Sequence, residues 1–173
     1  MHFRLTQKLA KKIKETGTLP ALEAHQNPLA DWTANLFTAD RTQYVILCNT
    51  ATMYTCLFYG AGVNNDDKFI KAALQAIRDA MEDEGLEQLY LDKIVPATGS
   101  IRFGKSLNRS VTGSVTEQIN AAKARLEDPT QAPYQVAEML NRNLLSYLAC
   151  HKGSYEIRTQ APLFVKPGTF DKF

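Results

Sequence analysis

The stretch WTANLFTADRTQYVILCNTATMYTCLFYG, Trp32–Gly60, decides the fold. It contains three runs rich in apolar, aromatic and β-branched residues, at 32–38, 42–48 and 52–59. Ala39-Asp40-Arg41 and Asn49-Thr50-Ala51 separate these runs, and connections this short cannot carry a parallel crossover. The sequence therefore predicts a meander of three adjacent antiparallel strands in sequence order.

The middle run carries apolar side chains on both of its faces. Tyr44, Ile46 and Cys48 fall on one face, and Val45 and Leu47 fall on the other. A strand that is buried on both faces lies in the middle of a sheet and has other elements above and below it. We therefore expect helices to cover both sides of this sheet.

Several segments outside the meander have helical periodicity. Residues 66–84 place Phe69, Ala73, Ile77 and Met81 on one stripe, with Asn65 or Asp66 as the N-cap and Gly85 just past the end. We predict further helices at 7–14, 86–94, 110–126 (capped by Ser110 or Thr112) and 133–150, short strands at 2–6 and 100–103, and a loop over 17–31. The expected fold class is α+β, with a mainly antiparallel sheet built on the 32–60 meander and packed against three or more helices.

Composition limits the function classes. The chain has 173 residues, 45% hydrophobic and 22% charged, which is typical of one soluble domain spanning 1–173, with 151–173 as a tail that packs on the domain or is partly disordered. No apolar run has the length of a membrane span, and no signal peptide is apparent, so we expect a cytoplasmic protein without a membrane partner. Three cysteines and three histidines lack metal-ligand spacing, so we expect no metal and no cofactor.

Residues Gly99–Ser106, GSIRFGKS, have the phosphate-loop spacing G-x-x-x-x-G-K-[ST]. Their context does not suit a phosphate loop. The segment before Gly99 contains Pro96 and is not an apolar strand, Ile101 and Phe103 are bulky, and helical periodicity starts only near Val111. The sequence therefore favours a non-enzymatic protein over a nucleotide-hydrolysing enzyme.

The wider segment 98–116 is basic and rich in hydroxyl groups, and it contains no acid. Cations and hydroxyl groups are the side chains that contact phosphates. The predicted phosphate-contacting residues are Arg102, Lys105, Ser106, Arg109, Ser110, Thr112 and Ser114. The partner would be a nucleic acid or a nucleotide. Three alternatives stay open: a solvated surface without a ligand, a protein–protein interaction module, and a divergent nucleotide-binding enzyme of the phosphate-loop type.

Short patterns spread over residues 1–126 are similar to those of a known family. They are Arg4–Leu9, Trp32–Leu36, Arg41, Val45–Asn49 with Thr52, and the R-S-x-x-G-S segment Arg109–Ser114. In these patterns the chain resembles an uncharacterised family of small bacterial proteins associated with plasmids and phages. The resemblance implies no activity, cofactor or partner. It does imply that Gly99–Ser106 need not be a phosphate loop.

Overall fold

The computed structural model describes residues 1–15 and 17–142, which contain one five-stranded sheet. Its strands are β1 (His2–Leu5), β2 (Asp31–Ala39), β3 (Thr42–Asn49), β4 (Thr55–Tyr59) and β5 (Arg102–Gly104). Their order across the sheet is β4-β3-β2-β1-β5, so β4 and β5 form its two edges.

The helices are α1 (Gln7–Lys12), α2 (Asp66–Asp83), α3 (Glu87–Leu89), α4 (Arg109–Arg125) and α5 (Pro133–Asn141). The single turn α3 continues into a π-helical turn at Tyr90–Ile94 and a 3₁₀ turn at Val95–Gly99, and a further 3₁₀ turn spans Pro28–Ala30. No helix in this part of the chain is long and apolar enough to cross a membrane.

The α+β class is confirmed, but the prediction of a mainly antiparallel sheet is wrong, because the sheet is mixed. β3 pairs antiparallel with β2 and with β4, as the short connections require, while β1 pairs parallel with both β2 and β5. Parallel neighbours need a long crossover. Residues 6–30, with α1 among them, provide that crossover between β1 and β2.

The third antiparallel strand begins at Thr55 rather than at residue 52. The side chain of Asn49 accepts hydrogen bonds from the backbone N–H groups of Ala51 and Thr52 and from the Thr52 hydroxyl. Met53 has a left-handed backbone with a φ of 58°. An Asn side chain that binds backbone groups two and three residues on replaces strand pairing with a turn.

The prediction that β3 has cover on both faces is confirmed. Val45 and Leu47 belong to one apolar core, which also contains residues of α1 and α2. Ile46 and Cys48 belong to a second core, which contains residues of α4 and α5. The sheet is therefore the middle layer of three.

The helix ends agree only in part with the predicted caps. Asn65 caps α2 by accepting a hydrogen bond from Lys68 N–H at 2.8 Å, and Gly85 follows the helix with a φ of 72°. The N-cap of α4 is Asn108, not Ser110 or Thr112, because its Oδ1 accepts from Val111 N–H at 2.9 Å. Helix α5 starts at Pro133 as predicted; its extension to residue 150 and the tail 151–173 lie outside the described residues.

Candidate anion-binding site

The predicted phosphate-contacting residues lie on three consecutive elements at one edge of the sheet. Arg102 is on β5, Lys105 and Ser106 are in the link that follows, and Arg109, Ser110, Thr112 and Ser114 are on α4. All of these residues except Ser114 therefore lie near the connection between β5 and α4.

This connection differs from a phosphate loop. Gly99 ends a 3₁₀ turn before β5, and Lys105 and Ser106 follow the strand, so β5 lies inside the eight-residue spacing. A phosphate loop instead wraps its backbone N–H groups around one anion between strand and helix. With an extended strand in the middle, Gly99–Ser106 lacks that compact loop.

The N-terminal end of α4 nevertheless offers backbone donors. The first N–H groups of a helix have no partner within the helix. Asn108 Oδ1 takes the Val111 N–H, and the Asn108 carbonyl accepts from Thr112 N–H at 3.2 Å. The N–H groups of Arg109 and Ser110 lie outside this capping arrangement, at the positive end of a 17-residue helix.

Two hydroxyl groups stabilise the Asn108 cap. The Thr112 hydroxyl donates to the Asn108 carbonyl at 3.0 Å, and it lies 2.8 Å from the Ser106 hydroxyl. These contacts tie the link to the first turn of α4. Ser106 and Thr112 therefore position the helix start, and the exposed side chains of the site include those of Arg102, Lys105, Arg109 and Ser110.

The cations of the site are open to solvent. Arg102, Lys105 and Arg109 are exposed, and none of them forms a salt bridge within residues 1–15 and 17–142. Their charge is therefore available to an external anion.

Ser114 does not share this surface. It is 2% exposed and lies on the stripe of α4 that packs on the sheet, together with Val111, Val115 and Gln118. Position 114 is three residues after Val111 and four before Gln118, so helical geometry turns it inward. Ser114 thus drops out of the predicted ligand-contacting set, whereas Ser110 and Thr112 are exposed.

The topology also favours a ligand at this end of the sheet. The chain leaves β1 and enters α1, which packs on one face through Leu9 and Ile13. It leaves the neighbouring parallel strand β5 and enters α4, which packs on the other face through Val115 and Ile119. Ligands of open α/β sheets bind beyond the carboxyl ends of strands where successive connections go to opposite faces.

A buried ion pair fixes the backbone of Lys105. Arg4 is 1% exposed and binds Asp31 through two hydrogen bonds of 2.7 Å. Its guanidinium also donates to the carbonyls of Leu22 at 3.0 Å, Glu23 at 2.9 Å and Lys105 at 3.4 Å. Lys105 N–H in turn donates to Pro20 O at 2.9 Å. The Arg4–Asp31 pair therefore positions the strand end from which the Lys105 side chain extends.

Ionisable groups near this pair have shifted pKa values. Burial alone would raise the pKa of Asp31, but the hydrogen bonds and charge of Arg4 outweigh it and hold the pKa below its ordinary value. Burial lowers the pKa values of His2 and His25, whose rings meet edge to face at 4.8 Å. Asp31 is thus an anion and both rings are neutral near pH 7.

The sequence analysis missed Arg4 and Asp31. Arg4 lies in the predicted strand 2–6, and Asp31 is the last residue of the predicted loop 17–31. One signal was present: Arg4 stands between Phe3 and Leu5 in a predicted strand, where its side chain must point to the opposite face of the sheet. The pairing of Arg4 with Asp31 depends on the parallel register of β1 and β2, in which His2 lies opposite Asp31. Local sequence does not reveal this register.

The opposite edge of the sheet has a different character. A groove of about 990 Å³ lies between β4, α2 and α5, and Tyr59 and Tyr134 line it with exposed fractions of 54% and 64%. Its carboxylates are Asp79, Asp83, Glu84 and Glu138. Across the described ranges, no three His, Cys, Asp or Glu side chains are arranged to hold a metal ion.

Comparison with known proteins identifies a family but no activity. Residues 2–155 match a protein family described as a domain of unknown function, DUF6933. No curated protein and no solved structure matches the chain. The resemblance to an uncharacterised family is thereby confirmed, and the bacterial, plasmid or phage origin stays a prediction.

Proposed function

Because the chain belongs to the DUF6933 family, whose function is unknown, we propose from its own geometry that it binds a phosphate-bearing ligand at the N-terminal end of α4. The observation that carries this proposal is the set of three exposed cations, on β5, the link and α4, around an open helix start. The proposal assigns no reaction to the protein.

A helix N-terminus and nearby cations act on the same part of a ligand. The N–H groups of Arg109 and Ser110 can donate to phosphate oxygens, and the helix dipole adds positive potential there. The Arg109 guanidinium can bind two phosphate oxygens at once, whereas Lys105 supplies a single point charge. An anion at this end is therefore stabilised by backbone, dipole and side chains together.

The spread of the cations favours a nucleic acid over a single nucleotide. Arg102, Lys105 and Arg109 come from a strand, a link and a helix and do not converge in one loop. Successive phosphates along a strand can meet separate cations, and such contacts position a nucleic acid without reading its sequence.

The test is a salt titration of nucleic-acid binding. Full-length protein is titrated into labelled single-stranded DNA and RNA at several salt concentrations, as wild type and as the R102A/K105A/R109A triple variant. The control variant K71A/K93A/K123A removes the same charge from exposed positions outside the site. We expect the triple variant to bind more weakly and to flatten the salt dependence of log K by about 0.7 for each lost contact on single strands. The control is expected to keep the wild-type slope.

Two results would contradict the proposal. One is equal weakening by the triple and control variants, which would indicate a general charge effect. The other is no detectable binding at low salt. Competition with ATP decides the ligand class, since displacement of the oligonucleotide at low ATP concentration would favour a nucleotide over a polymer.

A further inference from the structure

The groove at β4 lies at the edge of the sheet opposite the proposed phosphate site. β4 is an edge strand of the sheet, and within residues 1–15 and 17–142 no strand pairs with its outer edge. An unpaired edge presents backbone N–H and C=O groups that can bind another extended segment.

Asn141 already takes the place of a neighbouring strand at one residue of this edge. Its side-chain Oδ1 accepts from Thr55 N–H at 2.7 Å, and its Nδ2 donates to the Thr55 carbonyl at 3.0 Å. These are the two bonds that a paired residue of an antiparallel ladder would make. The backbone groups of Tyr54 and Gly60 face β3, because Asn49 N–H donates to the Tyr54 carbonyl and Gly60 N–H donates to the Gln43 carbonyl. Backbone groups alternate in direction along an antiparallel strand, so those of residues 57 and 59 face outward, as those of Thr55 do. Among the residues that the structure describes, nothing therefore pairs with the outer edge of β4 from Leu57 to Tyr59.

The chain itself continues from this place. Arg142 lines the groove, and 31 residues follow it. Residues 154–159, SYEIRT, alternate polar and apolar side chains in the pattern of a half-buried strand. Eleven residues separate them from Arg142, enough to span up to ~36 Å when extended, more than the ~17 Å length of a five-residue strand.

Charge complements the geometry. The groove carries four carboxylates against Arg142. Residues 143–173 contain four lysines and arginines, at positions 152, 158, 166 and 172, and two acids, at 156 and 171. A segment tethered beside the groove also has an effective concentration in the millimolar range, which a separate partner has to exceed.

We propose that the groove at the β4 edge receives the C-terminal segment of the same chain, with residues 154–159 added to β4 as a strand. Tyr155 and Ile157 then form the apolar side of the added strand, and Glu156 and Arg158 form its polar side. The outward N–H groups of Leu57 and Tyr59 find their acceptors in this segment.

The test measures amide hydrogen exchange at single residues in the full-length chain. We expect the N–H groups of Leu57 and Tyr59 to exchange at least ~100-fold more slowly than exposed amides. I157P removes a strand donor and imposes a backbone that strands disfavour, so it should return both amides to fast exchange. D171P is the matched control outside the segment and should leave them slow. The amides of β3 report that the fold is intact in every variant.

Any of three other outcomes would contradict the proposal. Fast exchange of Leu57 and Tyr59 in the wild type would show an open edge. Protection that survives both I157P and the charged variant I157D would assign the groove to a different segment. Protection that rises with protein concentration, together with a dimer in sedimentation, would assign it to a second copy of the chain.

Discussion

The two edges of the sheet differ in length, in charge and in the elements that surround them. β5 has three residues, is followed by exposed cations, and ends beside an open helix N-terminus. β4 has five residues and borders an acidic, aromatic groove. Short, positively charged edges resist the addition of another strand, whereas a longer unpaired edge can accept one. We propose an anionic ligand for the β5 edge and the C-terminal segment of the chain for the β4 edge.

A buried polar side chain supports each edge. At the β5 edge, Arg4 binds three backbone carbonyls and the carboxylate of Asp31. At the β4 edge, Asn141 binds the backbone of Thr55 alone. The Arg4 network therefore joins β1 and β2 to the loop at residues 22–23 and to the chain after β5, whereas Asn141 occupies one residue of the β4 edge.

Substitution of Asp31 should have the largest effect. D31N leaves the guanidinium of Arg4 buried without its counter-charge, and breaking a buried pair in this way costs about 3–5 kcal/mol. We expect that loss in the free energy of unfolding, measured by urea denaturation. The control E82Q breaks the exposed Arg78–Glu82 pair, which solvent screens, and should change the stability much less than D31N does. A loss for D31N as small as that of the control would show that the pair does not support the β5 edge.

Substitution of Asn141 should have the next largest effect. N141L keeps the branched shape of the side chain but leaves the backbone N–H and C=O of Thr55, a fully buried residue, without their partners. An unsatisfied buried polar group costs about 1–3 kcal/mol. We expect a loss of this size by denaturation, and faster hydrogen exchange of the Thr55 amide. N120L, at an exposed position of α4, is the control and should leave both unchanged. An unaltered Thr55 exchange rate in N141L would argue that the edge does not depend on Asn141.

The part of the fold that the sequence predicts well is local. Connections of a few residues fix the antiparallel pairing of β2, β3 and β4, and the two-faced pattern of Val45 to Cys48 fixes the central place of β3. The stripe of α2 and its Asn65 cap follow from residues within one segment. Each of these depends on neighbours in sequence.

The parts that the sequence does not predict depend on distant pairing. The position of β1 between β2 and β5 brings together strands separated by long segments, and it makes the sheet mixed. The role of Arg4 follows from that placement. Ser114 is a different case, because local sequence is enough to place it: Val111, Val115 and Ile119 recur at helical spacing, and a serine three residues after Val111 falls on the same stripe.

The capping of α4 provides a smaller, local test of the anion site. N108A removes the acceptor of Val111 N–H and should destabilise the protein by about 1 kcal/mol. S110A, at the position that the sequence suggested as a cap, should change the stability by less than about 0.5 kcal/mol, since Ser110 is exposed. If S110A were the more destabilising of the two, the assignment of the helix start would be wrong.

The smallest expected effect is a response to pH that differs in sign between the two edges. The pKa values of His2 and His25, beside β5, are lowered by burial, so the unfolded chain binds more protons just below pH 6.5 than the folded protein does. Acidification from pH 7 through the lowered pKa values should therefore reduce the free energy of unfolding.

Burial instead raises the pKa of Glu84, in the groove, although its hydrogen bond with Tyr54 opposes the shift. Because folded Glu84 binds its proton at a higher pH than the unfolded chain does, its protonation favours the folded state. Its contribution is complete below the unfolded pKa near 4.5 and is lost as the pH rises through the raised value. Urea denaturation between pH 7 and pH 5 should thus show a smaller loss of stability in H2N/H25N than in the wild type, and a larger net loss in E84Q. Equal pH profiles for all three proteins would remove the electrostatic part of the contrast between the edges.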